Sequence, residues 1–219
     1  MRTDERFSRQ VGLVNPDDIR NEAILVVGAG AIGSWTALAL ARIGFDDITV
    51  YDNDLVGEVN LATQFFRSCD VSRPKVNALA EAIKTYCDLE IKTHNELYDG
   101  QEFNSIVISA VDSMQARHDI WKHIKMKPQV KCYVDARMGG VDMNIYTICP
   151  TDIDDIKLYE ECLWPPEEVL HQDCSRKAIC YNVNTISSFI VNNVIKFILE
   201  GTHDKEIMFN MNDMSLFRR

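Results

Sequence analysis

The chain has 219 residues, 46% of them apolar, and carries 33 acidic against 23 basic side chains, for a formal net charge of −10. That length suits one domain, 1–219, and the apolar content is enough for a buried core and too high for disorder. The acidic balance excludes the broad basic field of a general nucleic-acid binder while leaving room for a local phosphate pocket.

In chain order, residues 1–10 are charged and hold no apolar run, so no secretory leader is expected. Ile24–Val27 is a short apolar run ending in glycine, and Ala31–Ile43 is apolar at helical spacing and closed by Gly44. Ile48–Tyr51 is a second strand-like run, ending at Asp52. Val76–Tyr86 reads as a helix after Pro74, and Met114–Ile124 as a helix between strand candidates Ile106–Ala110 and Cys132–Val134. Strands alternating with helices imply a Rossmann-like, doubly wound α/β fold, a mostly parallel sheet covered on both faces.

Beyond Gly139-Gly140 the pattern changes. Met143–Ile148 is a strand candidate. Asp152–Cys174, acidic and holding Trp164-Pro165-Pro166, reads as a long irregular crossover. Asn184–Leu199 is an amphipathic helix, too short and too polar to span a bilayer, and Glu206–Phe209 is a last strand. Seven cysteines without a C-x-x-C pair read as reduced thiols of a cytoplasmic protein and give no closed zinc site. Cys69, Cys87, Cys132 and Cys149 fall in helix or strand patterns and are expected in the core.

Gly28-Ala29-Gly30-Ala31-Ile32-Gly33 follows a strand and opens a helix, the context a G-x-G-x-x-G phosphate loop requires. Gly28, Gly30 and Gly33 permit a tight turn with close backbone approach, and free N–H groups at the helix start face phosphate oxygens. Asp52, ending the next strand, stands where an acid meets a ribose hydroxyl. The motif alone does not choose between a dinucleotide and ATP. No tyrosine is followed four positions on by lysine, which weakens the hydride-transfer reading.

These residues resemble the ThiF/MoeB/HesA-type adenylyltransferases related to ubiquitin-activating enzymes. Arg6-Phe7-Ser8-Arg9-Gln10 resembles that family's N-terminal R-[FY]-x-R-Q, and Gly28–Ser34 its glycine loop. Asp52-Asn53-Asp54 with Val59-Asn60-Leu61, Arg73-Pro74-Lys75, and Val111-Asp112-Ser113 resemble three further motifs, in the family's order. The resemblance thins from about residue 140 on. It implies ATP and Mg²⁺ as cofactors and a small ubiquitin-like or sulfur-carrier protein ending in Gly-Gly as partner. The carrier's C-terminal carboxylate would become an acyl-adenylate on a homodimeric, membrane-free enzyme.

Residue by residue, the resemblance assigns Asp52, Asp54, Asn60, Gln64 and Lys75 to the nucleotide and Asp112 to Mg²⁺ and the reacting carboxylate. Arg9 is implied as a phosphate contact reaching across a dimer interface; otherwise it is a surface arginine. Asp112 is also a candidate cap for the Met114 helix. Cys174, beside Arg176 and Lys177 ahead of the last helix, is the implied acyl-accepting thiol, with Cys180 the second candidate and a buried structural role the alternative for both.

One departure stands out. The family's N-x-x-R-Q is here Asn60-Leu61-Ala62-Thr63-Gln64, so Thr63 replaces a cation. Either Arg67 or Arg73 substitutes, or the chain is a catalytically weak nucleotide-binding adaptor. Gly33-Ser34-Trp35 and Ala39-Leu40-Ala41 also fit a tRNA-modifying dehydratase of the same superfamily, against which the acidic charge and the N-terminal Arg-Gln pattern weigh.

Overall fold

Strand β1, Ile24–Val27, buries all of its residues, as do β2, Ile48–Tyr51, and β4, Ile106–Ser109, so each needs cover on both faces. The computed structural model, which describes residues 5–101, 104–165 and 178–219, supplies that cover. An eight-stranded sheet runs in the order β3-β2-β1-β4-β5-β6-β7-β8. It includes β3 (Lys92–His94), β5 (Cys132–Gly139), β6 (Asp142–Ile148), β7 (Glu206–Asn210) and β8 (Ser215–Arg218). Pairings from β3 through β5 are parallel, and those from β5 through β8 antiparallel.

Alternation along β1 divides the core. Ile24 and Val26 join a cluster with Leu40 of α2 (Ala31–Ile43), Leu79 of α3 (Lys75–Cys87) and Ile190 of α6 (Cys180–Glu200). Leu25 and Val27 face the opposite way, toward Trp121 of α4 (Met114–Ile124) and Tyr159 of α5 (Ile153–Cys162). A four-residue α1, Pro16–Ile19, precedes β1. The doubly wound reading is borne out, C-terminal strands included. The chain leaves β1 toward β2 and β3, then returns to lay β4 on β1's other side. That reversal opens a crevice at the carboxyl ends of β1 and β4, where ligands of open α/β sheets bind.

Several elements differ from expectation. The stretch read as irregular holds α5, whose cap is Asp152: its carboxylate accepts from the Asp154 and Asp155 N–H groups at 2.9 and 3.0 Å. An acidic first turn complements the helix dipole and outweighs the Pro-Pro signal downstream. α6 starts four residues before Asn184, because buried Asn182 ties its first turn to the Gly140 carbonyl at 2.5 Å. β3 and β8 went unread: one is a three-residue polar edge strand, the other is exposed at every position. Of the four cysteines expected in the core, Cys132 is buried, Cys87 and Cys149 are half-buried and Cys69 is exposed. Among the described residues, no helix is long and apolar enough to cross a membrane.

Candidate functional site

The two outer glycines of the loop hold the turn closed. Gly28 has φ +99°, and a Cβ there would stand 2.7 Å from the Ala110 carbonyl oxygen at the end of β4. A Cβ on Gly33 would stand 1.8 Å from the Gly28 oxygen. Gly30 differs: a Cβ would meet nothing within 4 Å, and as the residue before α2 it offers no side-chain cap. The first N–H groups of α2 therefore face open space, the arrangement that receives an anion.

That space is a cavity of about 630 Å³, lined by Gly28, Gly30, Asp52, Asp54, Gln64, Lys75 and Asp112 among others. Asp52 accepts from the Ala29 N–H at 2.6 Å and from the Asp54 N–H at 2.8 Å, which fixes its carboxylate against the loop. Lys75, at the first position of α3, is only 8% exposed and donates to Asp54 at 2.7 Å. It is thus a cavity cation rather than a solvated helix-start lysine. The Gln64 Oε1 is buried with no hydrogen-bond partner among the described residues. Buried polar atoms are normally paired, so an orphan on a cavity wall marks a ligand position.

Asp112 lies on the cavity wall at the end of β4. It does not cap α4; Ser113 does, its hydroxyl accepting from the Ala116 N–H at 3.1 Å. Asn60 and Gly33 are not on the wall. Asn60 accepts from the Gly57 N–H at 2.8 Å and so shapes the turn that delivers Gln64.

Neither proposed substitute for the missing arginine reaches the cavity. Arg67 donates to buried Asp70 at 2.9 and 3.0 Å, Arg73 donates to it at 2.8 Å, and both pair with Glu81. The Arg67 hydrogen bond holds the Asp70 carboxyl below the usual carboxylate range. Both cations are spent in that network.

Arg9 is exposed and absent from the wall of its own chain's cavity. Its neighbour Gln10 donates to the Ile43 carbonyl at 2.7 Å, at the end of α2 remote from the glycine loop. At about 1.5 Å per residue, α2 separates the two by about 20 Å. Cys174 lies outside the described residues. Cys180 is the half-buried first residue of α6 and does not line the cavity.

Two arginines absent from the sequence reading do line it: Arg117 of α4 and Arg137 of β5. Arg117 donates to fully buried Asp135 at 3.0 Å and to the Val111 and Ala136 carbonyls at 2.5 and 3.3 Å. Arg137 donates to the other Asp135 oxygen at 2.7 Å, and Tyr159 donates to that same oxygen at 3.1 Å. Burial works against the Arg137 charge, but Asp135 beside it prevails and raises its pKa. A usable signal was in the sequence: Asp135 and Arg137, at period-two spacing within a strand of buried apolar residues, are costly to bury unless paired.

This fold and site define a nucleotide-type crevice on a Rossmann-like sheet. The ThiF family model matches residues 5–218, and the chain belongs to the ThiF family. It is similar to the NEDD8-activating enzyme E1 catalytic subunit of Caenorhabditis elegans, 37% identical over 48% of this chain and 26% of that one. It is similar, too, to ubiquitin-like modifier-activating enzyme 5 of Branchiostoma floridae, 25% identical over 88% of this chain and 53% of that one. The chain thus spans between about a quarter and half of these two relatives. The fold matches that of E. coli MccB solved with AMPCPP and MccA, with TM-score 0.78 and 17% identity over all of this chain and 72% of that one.

Proposed function

We propose that this chain, read as a single adenylyltransferase domain, uses ATP and Mg²⁺ to adenylate the C-terminal glycine of a small ubiquitin-like or sulfur-carrier protein. The observation carrying this reading is the convergence of the glycine-edged α2 N-terminus, Asp52, Lys75 and Asp112 on one cavity at the sheet's reversal point. A carrier carboxylate oxygen attacks the α-phosphorus of ATP; the new P–O bond forms as the bond to the β-phosphate bridge breaks, and pyrophosphate leaves. Like charges meet in that step, so a dry, oriented site has to offset repulsion. The α2 N–H groups and Lys75 hold phosphate oxygens, Asp52 holds the ribose, and Asp54 orients Lys75.

Among the described residues no cluster of three or more metal-type side chains exists. Mg²⁺ takes one or two carboxylates and fills its shell with water and phosphate. Asp112 is its ligand in this reading, and the ion supplies charge neutralisation when bound. Arg9 acts from a second copy in a homodimer, and the Cys174 thiolate takes the acyl group from the adenylate as a thioester, releasing AMP. The test is ATP–pyrophosphate exchange with a carrier ending in Gly-Gly, alongside calorimetry with ATP and with NAD. We expect carrier-dependent exchange and a preference for ATP. Tight NAD binding without ATP binding overturns the reading.

A further inference from the structure

We propose that Arg137, on β5, is the cation that receives the reacting carboxylate of the substrate. The inference rests on the adenylation reading above for the identity of that carboxylate.

The first argument is one of charge. Among the described residues three cations line the cavity, and Lys75 is paired with Asp54. Arg117 and Arg137 share a single partner, Asp135, whose side chain is fully buried. Within this trio two guanidinium groups face one buried carboxylate, and Asp112 and Asp142 line the same cavity. Arg117 is buried and spreads its donors over Asp135 and two carbonyls. The Arg137 side chain is 17% exposed, and its Nη2, itself buried, has no hydrogen-bond partner among the described residues. The spare donor of the pair therefore belongs to Arg137.

Arg137 is also held rigidly. Its Nε is on Asp135, its Nη1 on the Cys162 carbonyl at 2.8 Å, and its guanidinium lies 4.6 Å from the centre of the Tyr146 ring. A fork fixed in this way meets a carboxylate with little entropy left to lose.

The third argument is position. Arg117 bonds the carbonyls of Val111 and Ala136, the residues just before Asp112 and Arg137. β4 and β5 are parallel neighbours, with Ser109 opposite Asp135. Neighbouring strands lie about 4.8 Å apart, so the segment that leads from β4 to Asp112 starts beside the part of β5 that carries Arg137. A carboxylate on Arg137 would therefore lie in the same cavity as Asp112 and the glycine loop. Thr63 is not on the wall of that cavity.

The probe is a hexapeptide ending in Gly-Gly, titrated as the free acid and as the C-terminal amide in the presence of AMPCPP. Wild type should bind the acid roughly tenfold more tightly than the amide, the worth of one charge-assisted hydrogen-bonded pair. Arg137→Gln should bring the acid down to the amide's level and Arg137→Lys should recover part of the preference, with ATP affinity unchanged in both. Folding should survive because Arg117 still balances Asp135, and melting curves check it. A tenfold preference that persists in Arg137→Gln overturns the proposal. So does a loss of ATP affinity as large as the loss of peptide affinity, which would assign Arg137 to the nucleotide, or a wild type that does not distinguish acid from amide. Because binding is read without turnover, a wild type that prefers the acid through Arg137 yet gives no pyrophosphate exchange would sink adenylation and leave this assignment standing.

Discussion

The three glycines of the loop do different work, and single alanines separate it. At Gly28 an added Cβ meets both a positive φ and a backbone oxygen 2.7 Å away, and at Gly33 it overlaps the Gly28 oxygen at 1.8 Å. Either alanine should cost at least about 2 kcal/mol of stability, through left-handed strain or a forced backbone shift. Gly30→Ala has open space around it and should leave the melting temperature nearly unchanged while weakening ATP, because a methyl group would stand where phosphate approaches the backbone. Melting curves and ATP titration read the two effects independently; a Gly30→Ala protein that binds ATP as wild type does would remove that residue from the phosphate site. Asp52→Ala should weaken ATP by roughly tenfold or more, the worth of a hydrogen bond to a charged group. The glycine pattern, Asp52 and Lys75 were legible because each carries its role in a short sequence window. Asp135 and Arg137 left a signal in the spacing of β5, but Arg117 did not, since it comes from α4 and meets them only when that helix packs on β5.

At the scale of elements, α5 is tied to the strands on either side of it by one buried carboxylate. Asp155 in the first turn of α5 is almost fully buried, accepts from the Cys149 N–H at 2.8 Å after β6, and faces Lys205 and His203 ahead of β7. Burial alone would raise its pKa, but the His203 and Lys205 contacts and that backbone N–H prevail and hold it at about 2, below the ordinary 3.8. A carboxyl whose folded value is depressed stabilises the fold above its unfolded value and loses that contribution as pH falls through the folded one. At about 1.4 kcal/mol per unit, Asp155 contributes roughly 2 kcal/mol at neutral pH, lost between about pH 4 and pH 2. Asp155→Asn should be destabilised by a similar amount at pH 7 and show a flatter acid limb in thermal melts. Parallel limbs for mutant and wild type would mean that other carboxylates dominate acid unfolding. Periodicity located β1, β2, β4, α2 and α4 to within a residue, because packed faces impose it. α5 was missed although Ile156 and Tyr159 are buried at helical spacing, because that short apolar face sits in an acidic stretch that runs into Trp164-Pro165-Pro166.

At the scale of the whole molecule, the position of Arg9 separates a one-chain site from a two-chain site. It sits at the far end of α2 from the glycine loop, about 20 Å away by helix rise. Val11 and Leu13, just beyond it, are 54% and 82% exposed, apolar side chains that a second copy would cover. If the active assembly is a homodimer with Arg9 reaching into the partner's cavity, Arg9→Ala and Asp112→Ala should each be nearly inactive alone. Mixing them and letting subunits exchange gives a different result. In a mixed dimer, the cavity of the Arg9→Ala chain keeps its own Asp112 and receives an intact Arg9 from its neighbour, while the other cavity lacks both groups. Random exchange makes half the dimers mixed, and each has one working site in two, so activity should recover to about a quarter of wild type. A site built from a single chain predicts no recovery, because every cavity would then lack either its arginine or its aspartate. Light scattering on the same mixture shows whether exchange can occur: a strictly monomeric protein that retains pyrophosphate exchange would assign Arg9 to the surface, and a dimer that exchanges subunits without regaining activity would do the same.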